Sequence, residues 1–111
     1  MAYNEKLADK LRFALSEIPN VEEKKMFGGL AFLINDKMCI NVSSDNLMCR
    51  YDVNMEDVIS KKKGFEKVIM NGKLFKGYCY VKPEGFKTKK DFDFWIDLCL
   101  KFNDKAKSSK R

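Results

Sequence analysis

A chain of 111 residues, 45% hydrophobic and 34% charged, has the size and composition of one soluble globular domain. It contains no histidine, which excludes Ser-His-Asp and Cys-His catalysis, histidine acid–base chemistry and histidine-ligated metals. The net charge of +6 is unevenly spread: residues 101–111 hold five basic residues against Asp104, leaving 17 basic and 15 acidic residues before them, so most of the excess lies in a tail expected to be frayed.

No apolar run approaches the ~18 residues of a membrane span, and the polar opening MAYNEKLADK is no secretory signal. A cytoplasmic location without a membrane partner is expected. Cys39, Cys49, Cys79 and Cys99 form no C-x-x-C pair, so neither a disulfide nor a zinc site is expected. Three of them read as buried thiols; Cys49, between Met48 and Arg50, reads as less covered. No catalytic, cofactor-binding or metal-binding set emerges, and the chain is not expected to be an enzyme.

A first helix is predicted over residues 4–18. Leu7, Leu11, Ala14, Leu15 and Ile18 form its apolar stripe, Asn4 caps it and Pro19-Asn20 ends it. A strand over residues 22–27 is interrupted by Gly28-Gly29, which reads as a bulge or close backbone crossing. Residues 30–34 form a strand buried on both faces. Asn35-Asp36 turns the chain into residues 37–42, with Met38, Ile40 and Val42 on one side and Cys39 and Asn41 on the other. After a second turn at residues 43–46, Leu47, Cys49 and Tyr51 face opposite Met48 and Arg50.

A second helix is predicted over residues 54–63, capped by Asn54 and ended by Gly64, with Lys61-Lys62-Lys63 at its C-terminal dipole. Residues 65–70 read as a strand or irregular edge, Asn71-Gly72 as a hairpin turn, and residues 74–81 as the last strand. A final helix from Thr88 to about residue 103 turns Phe92, Trp95, Ile96, Cys99, Leu100 and Phe102 inward. Strands joined by short turns, with helices at the N-terminus, middle and C-terminus, predict an α+β two-layer sandwich with a mainly antiparallel sheet of five or six strands.

The fragments Lys25-Met26-Phe27-Gly28-Gly29 with Phe32, Met38-Cys39, Leu47 with Arg50, Lys76-Gly77-Tyr78-Cys79-Tyr80-Val81, the opening Met1-Ala2-Tyr3 and Trp95 occur in an order and spacing that resembles the TfoX/Sxy N-terminal domain family, over residues 3–103. The resemblance implies a small domain with a curved antiparallel sheet, similar to secretion-chaperone-like folds. It also implies a kinship with regulators of natural competence, which act with other transcription regulators. Their longer members carry a second domain, which is not expected after the basic tail at residues 104–111. The resemblance supplies no catalytic residues.

Candidate contact residues are Lys25, Gly28, Gly29, Arg50, Lys73, Lys76, Tyr78 and Tyr80. The glycine pair leads into a strand, unlike a phosphate loop, which leads into a helix. Lys76, Tyr78 and Tyr80 share strand parity and could stack single-stranded bases, though tyrosines on a strand also serve as core cover. Arg50 suits either an anion or a structural ion pair. The expected function is a non-enzymatic regulatory or adaptor domain working through a protein partner or self-association as a homodimer. The alternative is a nucleic-acid-binding module using the tail and the Lys/Tyr strand face.

Overall fold

A computed structural model describes residues 3–26 and 28–105. Phe27, placed by sequence at a strand end, and most of the basic tail lie outside the described residues. In chain order the elements are α1 (Glu5–Ala14), β1 (Val21–Met26), β2 (Gly29–Ile34), β3 (Lys37–Ser43), β4 (Asn46–Arg50), α2 (Glu56–Ile59), β5 (Phe65–Met70), β6 (Lys73–Val81) and α3 (Lys89–Asn103). The six strands form one curved antiparallel sheet ordered β1-β2-β3-β4-β6-β5. No helix among the described residues is long and apolar enough to cross a membrane.

The turns follow from local chemistry. Asn35 and Asp36 both take positive φ, as do Asn71 and Gly72, the backbone of two-residue hairpins whose twist matches that of the strands. Asn4 accepts from the Leu7 backbone N–H at 3.1 Å, and Thr88 from that of Asp91 at 3.1 Å, so α1 and α3 begin where the sequence places their caps. Helix α1 stops at Ala14, four residues early. Ser16 and Ile18 donate to Phe13 and Leu15 in tighter i→i−3 turns, and Pro19 disfavours helix at the residue before it.

Helix α2 is also shorter than predicted. A 3₁₀ turn (Val53–Met55) precedes it, and Asp52 caps that turn, accepting from the Asn54 N–H at 3.0 Å, whereas Met55 and not Asn54 stands at the N-cap of α2, without a side-chain cap bond. Lys61, Lys62 and Lys63 lie beyond its end. Gly64 then takes φ +86° within 3.0 Å of the Gly85 backbone, measured from where its Cβ would be.

The alternation predicted for β3 fails at one residue. Phe32 faces Ile40 and Leu33 faces Met38, so Cys39 is an extra residue in the strand. This bulge puts Cys39 on the same side as Ile40 and Val42 and sends Met38 to the opposite face.

One face of the sheet carries the core. Leu7 and Leu11 of α1, Leu15 just after it, and Phe92, Trp95 and Cys99 of α3 pack there on Phe32, Ile40, Leu47 and Val81. The Trp95 indole N–H donates to the Gly85 carbonyl at 3.0 Å, so the largest core side chain is satisfied as well as buried. The opposite face holds a smaller cluster of Ala31, Leu33 and Met38, flanked by Met26 and Tyr78. Asn41 is buried on β3, its amide N–H₂ directed at the sulfurs of Met38 (3.5 Å) and Met48 (3.6 Å).

Candidate functional site

Three of the eight candidate residues come together. Arg50 at the end of β4 and Lys76 and Tyr78 on β6 line a cleft of about 180 Å³, with Gly77 and Phe102. Gly77 takes φ +86° and its carbonyl accepts from the Tyr51 N–H at 2.8 Å, so the strand bends there. Arg50 is engaged within the fold. Its guanidinium lies 5.7 Å from the Tyr78 ring centroid and 5.8 Å from that of Phe102, and it donates to the Met38 carbonyl at 3.3 Å. Those contacts tie α3 to β3, β4 and β6.

The other candidates are dispersed. Tyr80 is half-buried between its sheet partners Met48 and Glu66. Lys73 closes the β5–β6 hairpin opposite Met70. Lys25 and the glycine pair belong to the far edge, where Lys25 pairs with Leu30 and Met26 with Gly29. Gly28 takes φ +72° in open space, whereas a Cβ on Gly29 would run into the Val42 carbonyl. The pair therefore serves a turn and a close strand contact, and it leads into β2.

All four cysteines are buried, Cys49 included. They share the main core cluster, and Cys49 stands directly opposite Cys79 in the β4–β6 pair. The hydrogen bond to Cys99 and burial push the Cys39 thiol up; burial, then its thiol contacts, push up Cys49. Burial also opposes ionisation of Cys99, but the two donated thiols and the Arg50 backbone bond outweigh it and bring Cys99 down. Among the described residues no group of three or more ligand-type side chains is disposed to hold a metal ion. Spacing along the chain hid this convergence; inward parity at Cys49 and Cys79 and the α3 stripe at Cys99 were its only signals.

A larger, mainly apolar feature lies elsewhere, between α1 and α3. It is a groove of about 790 Å³ lined by Phe13 and Ala14 from α1 and by Phe92, Ile96 and Leu100 from α3. Phe13 is 83% exposed, more than any other large hydrophobic side chain among the described residues. It stands off the Leu7-Leu11-Leu15 stripe, which is why sequence periodicity passed over it.

The sequence pattern of the TfoX N-terminal domain matches residues 14–103. The chain belongs to the TfoX N-terminal domain family. No curated protein and no solved structure matches it. The stretch common to the TfoX N-terminal domain runs from the end of α1 through α3. It thus takes in the whole sheet, the Arg50 cleft, all four cysteines and the whole α3 wall of the groove, but not Phe13.

Proposed function

We propose that this TfoX N-terminal domain is a non-enzymatic regulatory or adaptor module of the cytoplasm that works by contact with another protein, in keeping with the competence regulators after which the family is named. The observation that carries this reading is the groove between α1 and α3, where exposed Phe13 adjoins a mostly buried apolar floor. Contiguous exposed apolar surface beside a concave floor is the usual mark of a protein-docking site. The polar candidates support it by contrast: Arg50 is held by two rings and a carbonyl, and Lys25 lies at the far edge of the sheet from Lys73 and Lys76.

Nucleic-acid binding is the weaker reading. It needs open tyrosine faces for base stacking, yet Tyr78 has the Phe75 ring 5.6 Å from its own and the Arg50 guanidinium over it. Crosslinking capture with the tagged full chain in its native cells tests the choice. A reproducible protein partner that survives nuclease treatment is expected. No partner, or one lost with nuclease, would overturn the reading.

A further inference from the structure

The groove between α1 and α3 differs in charge from the rest of the chain. The protein carries +6 overall, but among the described residues the groove is lined by Asp9, Glu17, Asp93 and Asp97 against Lys10 and Lys89 only. Some of this charge is already matched. Asp9 pairs with Arg12 at 2.6 Å and Asp93 with Lys89 at 2.7 Å, while the Lys10 ammonium sits 4.9 Å from the Phe92 ring centroid. Glu17 on the α1 side and Asp97 on α3 have no ion-pair partner among the described residues.

The dimensions suit a helix. The apolar floor runs from Phe92 to Leu100 along α3, a rise of about 12 Å, or two helical turns. A third helix laid between two others would present residues at i, i+3 or i+4, and i+7 to such a floor. Phe13 would flank its apolar stripe, and Glu17 and Asp97 would meet cations on either side. The same carboxylates repel an anionic partner such as nucleic acid or acidic lipid.

We propose that the α1/α3 groove docks an amphipathic helix of a partner protein, one whose apolar stripe is flanked by lysine or arginine. This rests on the adaptor reading above and specifies its partner. In the fold, α1 and α3 supply two helices of a three-helix layer, and the partner supplies the third.

Two fluorescein-labelled 15-residue peptides test it. Both carry leucine at i, i+3, i+7 and i+11; one fills the remaining positions mainly with lysine, the other with glutamate. Fluorescence anisotropy with the full chain is expected to show the lysine peptide binding at least tenfold more tightly. The double variant Glu17→Lys/Asp97→Lys should reverse that preference, and Phe13→Ser should weaken the lysine peptide at least fivefold. All three positions are exposed, so folding should be retained, and circular dichroism checks this.

The inference is overturned if neither peptide binds, or if the variants bind the lysine peptide as wild type does. It is also overturned if sedimentation shows a wild-type dimer that Phe13→Ser converts to monomer, because the occupant is then a second copy. If cells yield the same protein partner with wild type and with Glu17→Lys/Asp97→Lys, the adaptor reading stands and the groove is not its site.

Discussion

Cys49 on β4 and Cys79 on β6 stand directly opposite each other in the sheet, and they share one buried core cluster with Cys99 on α3 and Cys39 in the bulge of β3. Each of the four is at most 1% exposed. A thiol reagent needs an accessible thiolate. The folded protein is therefore expected to leave all four cysteines unmodified by Ellman's reagent for as long as it stays closed, and to yield four on unfolding in urea. Raising the pH toward 9 should accelerate native labelling far less than for a free thiol, because burial keeps the reagent from all four sulfurs whatever their protonation. One rapidly labelled cysteine would contradict this packing.

The adjacent glycines separate by mechanism. Gly28 needs its positive φ and has space around it, so Gly28→Ala should cost about 1–2 kcal/mol. Asparagine, which tolerates this backbone, should recover part of that loss. Gly29 needs room: a Cβ there meets the Val42 carbonyl across the β2–β3 pair. Gly29→Ala should cost about 3 kcal/mol, as expected for overpacking against rigid backbone, and asparagine should be no better. Urea unfolding of the four variants gives the comparison.

How much of this was legible depended on range. The caps at Asn4 and Thr88 and the turns at Asn35-Asp36 and Asn71-Gly72 are set by a few neighbouring residues, and the structure has them where the sequence puts them. The bulge at Cys39 was not legible, because an extra residue appears only when β3 is aligned with β2. Helix α2 was overextended because Lys61-Lys62-Lys63 and Gly64 read as a capped helix end, whereas the helix stops at Ile59 and Gly64 serves a close approach to Gly85, a contact between distant segments. The groove needed the same long-range knowledge: Phe13 becomes part of a site only once α3 lies beside α1.

Arg50 illustrates the difference between a plausible ligand contact and a structural one. Its planar guanidinium faces two rings and donates to a carbonyl, and a lysine at that position keeps the charge but loses the flat stacking surface. Arg50→Lys is expected to lower stability by about 1–2 kcal/mol, the scale of partly desolvated cation–π contacts. Chemical denaturation measures it. Unchanged stability would return Arg50 to the role of a contact residue for an outside anion.

Helix α1 is held to the edge strand β1 by the Arg12 fork, which bonds Glu23 at 2.7 Å and 2.8 Å. The Arg12 hydrogen bond draws the Glu23 carboxyl below its usual range. A carboxylate lowered in the folded state stabilises above its unfolded pKa of about 4.3 and loses that contribution as pH falls through its folded value. Both side chains are more than a third exposed, so solvent screening keeps the contribution within about 1 kcal/mol. Glu23→Gln should therefore be slightly less stable than wild type at pH 7. The gap should begin to close near pH 4, vanish at lower pH, and shrink at high salt. Thermal unfolding across pH 2–7 at two ionic strengths tests this, and a gap that persists in acid would show that Glu23 contributes by packing and not by charge.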